Sequence, residues 1–361
     1  MRVVIRADAA SHVGIGHVMR CLTLANALKA KGAEVCFVCR PFVGHLGERI
    51  VFEGHSLHML PPATQAIKPA PDMAEIPPHS PWLGESWETD LTQTQAMLRG
   101  MRFDWLVVDH YSVDARWEGA MRKISNKVMV IDDTADRMHD CDLLLDQTFG
   151  RKKEIYKSRV PEDCNLLIGS SYALLRPEFA ELREHSLNRR AKFKMERLII
   201  SMGGMDENNI TCQVLEALRH SALPSNCCIT VVMGNKMPWL DKVRMQAEKM
   251  TWPTEVKVGV SNMAQLMVES DLAIGAAGGT SWERCCLGLP TLMVILASNQ
   301  RDIGLALAQE QAVILLHDIP DIKNAIELVC ATTKKLSSMS HASRKITDGS
   351  GIETILNIMT S

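Results

Sequence analysis

The sequence has no long run of basic residues and almost no net charge. Its 361 residues include 40 lysines and arginines and 42 aspartates and glutamates, for a formal charge of −2. A surface that binds nucleic acid or an anionic membrane concentrates positive charge. We therefore expect neither of these partners, and a polyanionic ligand would be bound by a local site.

Long apolar runs are missing as well. No stretch reaches the roughly 20 apolar residues of a membrane-spanning helix, and residues 1–8 are typical of a strand, not of a secretion signal. We expect a cytoplasmic protein without membrane insertion. The eleven cysteines are spread along the chain, with adjacent pairs at 227–228 and 285–286 whose spacing is unfavourable for disulfides. We expect reduced thiols.

Short runs of valine, isoleucine and leucine alternate with segments of helical periodicity, such as 17–31 and 115–125. This alternation predicts parallel sheets with helices on both faces. Two series of runs predict an α/β protein with two Rossmann-like, doubly wound domains. The first series is 2–6, 34–39, 104–109, 127–131 and 142–146, and the second is 198–202, 228–233, 255–259, 271–274, 291–295 and 312–316.

A charged stretch predicts the boundary between the domains, and a cluster of prolines predicts one long loop. The domains are predicted at 1–185 and 195–350, with a charged boundary stretch at 183–197, and 351–361 is predicted to be a helix that packs back on the first domain. Seven of the fifteen prolines lie within 61–81, which is too dense for a helix or a central strand. This stretch predicts a surface loop or a lid.

A glycine turn follows the first predicted strand. Gly14 and Gly16 precede a helical pattern that begins at His17, and the amides of a helix N-terminus attract anions where no Cβ obstructs them. The dinucleotide-binding fingerprint is incomplete, because Met19 replaces its third glycine and Arg40 replaces the acidic residue after the second strand. We expect no nicotinamide and no other cofactor.

The second domain contains two further glycine turns, at 203–206 and 275–281. Two such turns in one domain can bind one diphosphate. Glu283, on the following helix, can accept both hydroxyls of a ribose or can cap its own helix, and the sequence leaves both roles open. The predicted binding residues here are Gly203, Gly204, Gly279, Thr280, Ser281 and Glu283.

The acidic pair Asp132–Asp133 is reminiscent of metal-dependent transferase sites. The pair follows an apolar strand, and a diphosphate held by amides leaves no obvious task for a cation. We favour a role in structuring the loop and expect no metal ion.

Six segments together carry a resemblance to a known family. They are D-A-A-S-H-V-G-I-G-H-V-M-R-C at 8–21, V-V-D-H-Y at 107–111, I-D-D at 131–133, S-Y-A-L-L-R-P-E-F at 171–179, M-G-G-M-D at 202–206 and the segment 275–300. The chain resembles the UDP-sugar hydrolases of pseudaminic acid biosynthesis, which are similar in fold to GT-B glycosyltransferases. The resemblance implies two Rossmann-like domains with a cleft between them.

The resemblance also implies an activity and its residues. The family hydrolyses UDP-2,4-diacetamido-2,4,6-trideoxy-β-L-altropyranose to UDP and the free sugar. The histidine of its G-x-G-H turn, the catalytic base, corresponds to His17, and a later Asn-Gln pair near the reacting carbon corresponds to catalytic Asn299 and substrate-binding Gln300. Asp8, which opens the first motif, and Tyr111 are further predicted substrate-binding residues. His110 and Asp109 are considered with Tyr111 as neighbours of the sugar.

A UDP leaving group simplifies the chemistry that the protein must perform. Glycoside hydrolysis normally uses two carboxyl groups, but a diphosphate that is held by amides departs without a general acid. The remaining task is to activate water, which the neutral imidazole of His17 can do near neutral pH. We predict attack at C1, inversion, and cleavage of the C–O bond.

Three alternatives remain open from the sequence: a GT-B glycosyltransferase that uses a UDP-sugar donor, a UDP-sugar 2-epimerase, and a nucleotide-sugar-binding regulator without catalysis. All four functions predict a small-molecule nucleotide-sugar partner. A monomer is compatible with the sequence, which does not decide the oligomeric state.

Overall fold

The computed structural model describes residues 1–64, 77–192, 194–203, 206, 208–235, 237–297 and 300–361. The chain forms two compact units, of which the first contains Met1–Leu174 and Gly351–Ser361 and the second contains Leu175–Ser350. The division therefore precedes the charged stretch 183–197. Most of that stretch belongs to a helix of the second unit or follows it directly.

The first unit is built on a parallel sheet with the order β3-β2-β1-β4-β5-β6-β7. Its strands are β1 (Arg2–Ala7), β2 (Glu34–Cys39), β3 (Ser56–Met59), β4 (Phe103–Asp109), β5 (Ser125–Ile131), β6 (Leu143–Asp146) and β7 (Asn165–Ile168). Its helices are α1 (Gly16–Ala30), α2 (Gly47–Phe52), α3 (Trp87–Met97), α4 (Ala115–Met121) and, from the C-terminal segment, α13 (Gly351–Thr360). Short 3-10 helices lie at Ser80–Leu83, Lys153–Tyr156 and Ser170–Tyr172.

Both faces of this sheet are covered, which explains why its strands are apolar almost throughout. Val3 and Ile5 of β1 belong to a core shared with α1 and α13, whereas Val4 belongs to the core on the other face. Helix α13 also makes a polar contact with β4, because Trp105 Nε1 donates to the carbonyl of Met359 at 3.0 Å. The C-terminal helix therefore packs on the first unit.

The second unit repeats the architecture with a parallel sheet of order β10-β9-β8-β11-β12-β13. Its strands are β8 (Arg197–Ser201), β9 (Cys228–Met233), β10 (Thr254–Val258), β11 (Leu272–Ala276), β12 (Thr291–Val294) and β13 (Val313–Leu316). Its helices are α5 (Pro177–Arg189), α6 (Ile210–Arg219), α7 (Leu240–Ala247), α8 (Met263–Glu269), α9 (Thr280–Cys286), α10 (Arg301–Gln309), α11 (Ile322–Ala331) and α12 (Thr333–Ser343), with a 3-10 helix at Ile319–Asp321.

The prediction of two doubly wound α/β units is confirmed, and each predicted apolar run corresponds to a strand. Two short strands, β3 and β7, were not predicted. Residues 65–76 of the proline-rich stretch lie outside the described residues. Across the part of the chain that is described, no helix is both long enough and apolar enough to cross a membrane.

Candidate functional site

The fold brings His17 and Asp109 together at the point where the strand order of the first sheet reverses. Strands β1 and β4 are neighbours there, and ligands of such sheets bind outside the carboxyl ends of the strands at this point. His17 lies in the first turn of α1, and Asp109 ends β4. The two side chains meet with His17 Nδ1 2.6 Å from Asp109 Oδ1.

Asp109 is fully buried and pairs with two partners. Arg20 donates from Nε to Oδ2 at 2.6 Å and from Nη2 to Oδ1 at 2.7 Å. Burial opposes ionisation of Asp109, but the charge of Arg20 and the contact with His17 hold its pKa well below the usual range. An ionised carboxylate only accepts hydrogen bonds, so His17 Nδ1 carries the hydrogen of this contact and Nε2 is the nitrogen that points away from Asp109.

Tyr111 borders His17 and is linked to the same arginine. Its ring meets the imidazole edge-on, with the ring centroids 4.6 Å apart. Its hydroxyl donates to Asp133 Oδ2 at 2.9 Å, and Arg20 Nη1 donates to the same oxygen at 2.5 Å. Burial and the charge of Asp133 raise the pKa of Tyr111, which therefore stays protonated. The hydroxyl thus braces Asp133, and the ring lies beside His17.

Asp8, which the sequence predicts as a substrate-binding residue, directly follows β1 and is fully buried. Its carboxylate pairs with Arg6 Nη1 at 2.8 Å, accepts from the amide of Arg40 at 2.7 Å and lies 3.1 Å from His110 Nε2. Burial opposes its ionisation, but the charge of Arg6 lowers the pKa of Asp8. These contacts make Asp8 and His110 part of the framework under the site.

The first glycine turn offers open space above a helix N-terminus. Gly14 adopts φ of +86°, where a side chain would be strained, and its amide donates to the carbonyl of Ala10 at 2.8 Å. A Cβ on Gly14 or on Gly16 would meet nothing within 4 Å. The residue before α1, Ile15, contributes no side-chain hydrogen bond to cap the helix. The amide of Met19 donates to the carbonyl of Ile15 at 3.1 Å, and the amides of Gly16, His17 and Val18 precede it at the helix N-terminus, where such groups favour an anion.

In the second unit, a buried arginine supports the turn that joins β11 to α9. Arg284 donates from Nη2 to the carbonyl of Ala276 at 2.6 Å and to Ser281 Oγ at 3.2 Å, and from Nη1 to Thr280 Oγ1 at 3.1 Å. Burial lowers the pKa of Arg284 to about 10, so it is still charged at neutral pH. Ser281 is fully buried and faces this guanidinium. Arg284 was not predicted, and the only signal for it in the sequence is its position one turn after the glycines.

The structure describes some, but not all, of the remaining predicted residues of the second unit. The Glu283 side chain is 17% exposed and its Oε1 lies 3.8 Å from Arg176 Nη2, while burial raises its pKa. Gly203, at φ of +87°, and Gly279 each have open space where a Cβ would lie. Gln300 Oε1 accepts from the amide of Leu296 at 3.0 Å. The predicted residues Gly204 and Asn299 lie outside the described residues.

The acidic pair after β5 structures its own loop. Asp132 accepts from the amide of Ala135 at 2.8 Å and pairs with Arg137 Nη1 at 2.9 Å, and Tyr156 donates to it at 3.0 Å. Asp133 is taken up by Arg20 and Tyr111. Among the described residues, no group of histidine, cysteine and acidic side chains has the geometry of a metal site.

Two curated proteins are similar to the chain along nearly their whole length. It is 26% identical over 311 residues to the UDP-2,4-diacetamido-2,4,6-trideoxy-beta-L-altropyranose hydrolase of Campylobacter jejuni, covering 86% of this chain and 97% of that protein. It is 24% identical to the spore coat polysaccharide biosynthesis protein SpsG of Bacillus subtilis, covering 99% of this chain and 98% of that protein. No family model matches the chain.

Solved structures agree in fold at lower identity. Acinetobacter baumannii MurG superposes with a TM-score of 0.69 at 14% identity, covering 99% of both chains. The UDP-GlcNAc 2-epimerase of Neisseria meningitidis, solved with UDP-GlcNAc, superposes with a TM-score of 0.61 at 12% identity over 100% of both chains. The chain therefore has the GT-B fold and, as its motifs predicted, is a distant relative of the diacetamido-trideoxy-sugar hydrolase of Campylobacter jejuni.

Proposed function

We propose that the chain hydrolyses a UDP-linked 2,4-diacetamido-2,4,6-trideoxy sugar to UDP and the free sugar, the step known from pseudaminic acid biosynthesis. The observation that carries the proposal is the hydrogen bond between His17 Nδ1 and Asp109 Oδ1 at 2.6 Å. The name of the Campylobacter relative supports the choice of substrate. The proposed enzyme is cytoplasmic and requires neither a metal nor a cofactor.

The proposed role of His17 is to accept a proton from the attacking water at Nε2. Asp109 positions the ring through Nδ1 and stabilises the imidazolium that forms, as the aspartate of a catalytic triad does. Water oxygen bonds to C1 on the face opposite the leaving group. The bond between C1 and the phosphate oxygen breaks, its electron pair stays on that oxygen, and the product is inverted at C1.

UDP leaves as a stabilised anion in this mechanism, so no general acid is required. In the second unit, we assign the diphosphate to the glycine turns with Gly203 and Gly279, next to Thr280, and we assign the ribose to Glu283. Arg284 places a positive charge next to the turn with Gly279. Its hydrogen bonds in the described structure go to a carbonyl and two hydroxyl groups, not to a carboxylate. Asn299, Gln300 and Gly204 keep their predicted roles as part of this proposal.

The decisive experiment supplies the UDP-linked diacetamido sugar without any acceptor, in H₂¹⁸O. Proton NMR of the free sugar reports the configuration at C1, and mass spectrometry locates the label. P–O cleavage places ¹⁸O in UDP, whereas C–O cleavage leaves UDP unlabelled. The label in UDP decides, because the anomeric oxygen of a free sugar exchanges with water. Release of sugar only after an acceptor is added would identify a transferase, and a product altered at C2 would identify an epimerase. Binding of the nucleotide sugar without turnover would identify a regulator.

A further inference from the structure

Three aromatic side chains form a cluster beside His17, and none of them has a role in the proposed proton transfer. They are His79, Trp82 and Tyr111. The ring centroids of Trp82 and Tyr111 are 5.9 Å apart, and those of His79 are 4.5 Å from Trp82 and 5.5 Å from Tyr111. Tyr111 in turn contacts the imidazole of His17. The aromatic cluster therefore adjoins the proposed catalytic base through Tyr111.

The cluster is held in place and is still accessible. Trp82 lies in the 3-10 helix Ser80–Leu83, whose Leu83 is buried in the core, and Ser112 Oγ donates to the carbonyl of His79, which ties this helix to the loop after β4. Tyr111 is 6% exposed, whereas His79 and Trp82 are half-buried. Fixed, partly exposed rings next to a catalytic group are typical of a ligand subsite.

Geometry limits which part of a nucleotide sugar can reach these rings. A water held by His17 lies about 3 Å from the imidazole, and the carbon that it attacks lies about 3 Å further on. The sugar ring is attached to that carbon, whereas the uridine is separated from it by two phosphates. The part of the ligand nearest to Tyr111 and its neighbours is therefore the sugar.

We propose that the aromatic cluster is the sugar subsite and that Trp82 selects for apolar substituents of a deoxy, N-acetylated sugar. This inference rests on the proposed function. A 2,4-diacetamido-2,4,6-trideoxy sugar carries a C6 methyl group and two acetyl methyl groups, which aromatic faces bury favourably. Burial lowers the pKa of His79, so at neutral pH this imidazole adds an uncharged ring. The faces of these rings, unlike their nitrogen-bearing edges, offer no hydrogen bond to a C6 hydroxyl, so contact with a face favours the methyl group over the hydroxyl.

Trp82→Ala tests the subsite, with Trp87→Ala as the matched control. Trp87 is also half-buried in the first unit, but it lies on α3 and stacks with Arg116. We expect Trp82→Ala to raise KM for the diacetamido UDP-sugar about 10- to 100-fold, as expected from the loss of one large apolar contact. The inhibition constant of UDP should stay unchanged. Trp82→Phe should recover most of the lost affinity, and Trp87→Ala should behave like the unmodified protein.

Direct binding separates this inference from the proposed function. Calorimetric titration of UDP and of the intact UDP-sugar gives the contribution of the sugar to affinity, measured with His17→Ala if the unmodified protein turns the sugar over. Loss of the sugar contribution in Trp82→Ala supports the subsite even if no hydrolysis is found. An unchanged KM and an unchanged sugar contribution in both Trp82 variants would overturn it, as would an equal loss of affinity for UDP and for the UDP-sugar.

Discussion

Arg20 and Asp109 form a two-point ion pair in which the guanidinium spans both carboxylate oxygens at 2.6 and 2.7 Å. One of these oxygens, Oδ1, is also the partner of His17. The arginine therefore fixes the carboxylate that fixes the imidazole. The proposed role of His17 depends on both contacts, and the side chains of His17 and Asp109 can be replaced separately to test it.

Replacement of His17 by alanine should remove the base but leave the nucleotide-binding residues intact. We expect kcat to fall by about two to four orders of magnitude, the usual contribution of general base catalysis. The dissociation constant of UDP should change less than threefold, roughly the scale of a minor contact. His220→Ala, on an exposed histidine directly after α6, is the control. Near-normal turnover by His17→Ala would rule out the mechanism.

Asp109→Asn should damage catalysis through the tautomer of His17. The amide of asparagine can donate to Nδ1, which moves the ring hydrogen to Nε2 and blocks proton acceptance. We expect kcat to fall roughly 10²- to 10⁴-fold, as for the comparable change in a catalytic triad. Asp133→Asn, which also contacts Arg20 but not His17, should cause a much smaller loss. Equal losses in steady-state kinetics of the two variants would argue against a positioning role for Asp109.

Glu283→Gln should weaken UDP binding more than it slows the chemical step. Loss of a charged acceptor for the ribose hydroxyls is expected to raise the dissociation constant of UDP about tenfold. Glu178→Gln is a matched control, because Glu178 also pairs with Arg176, at 2.9 Å. Calorimetry of both variants measures the difference. Unchanged affinity in Glu283→Gln would assign that residue to its helix instead.

Stability should fall in mildly alkaline solution because of His139. This histidine is buried, with Nδ1 2.8 Å from Glu118 Oε1 and Nε2 3.7 Å from Asp132 Oδ2. Burial alone would lower its pKa, but the two carboxylates raise the pKa of His139 to about 9. Because the folded pKa lies above the unfolded value of about 6.5, the stabilisation is complete below pH 6.5 and is lost as the pH rises through 9.

Urea titrations between pH 6 and pH 10 measure this effect. His139 should contribute a decrease on the order of 3 kcal/mol to the free energy of unfolding across the window. Buried cysteines whose pKa is raised, such as Cys36 and Cys286, add a loss of their own in both proteins. His139→Gln should be less stable than the unmodified protein at pH 6 and should lose less stability toward pH 10, by the contribution of His139. A decrease of the same size in this variant would assign the alkaline loss to other groups.

The fold could be predicted because each central strand is a contiguous apolar run, and a parallel sheet buried on both faces leaves that pattern in the sequence. Strand β3 (Ser-Leu-His-Met) was not predicted because it contains polar positions. Strand β7 (Asn-Leu-Leu-Ile) is as short as β6, β12 and β13, which were predicted, and its local sequence does not explain the difference. A short strand at the edge of a sheet takes its conformation from its neighbour, which the local sequence does not reveal.

The candidate site was predictable only where it is local in sequence. Gly14, Gly16 and His17 stand side by side and mark a strand, a turn and a helix start. The contact of Arg20 with Asp109 joins residues 89 positions apart, and the sequence around either residue does not indicate its partner. Trp82 directly follows the proline-rich stretch 61–81, which has no periodicity, so its position next to Tyr111 could not be inferred. Such contacts are decided by the tertiary fold.

Helix α13 gives the first unit a particular order of assembly during translation. Its side chains complete the core that contains β1 and α1, although the ribosome makes them only after residues 175–350. The nascent segment Met1–Leu174 must therefore wait with part of its apolar core exposed while the second unit, which is continuous in sequence, is made. A premature stop near residue 350 would release a chain with a complete second unit and an unfinished first one.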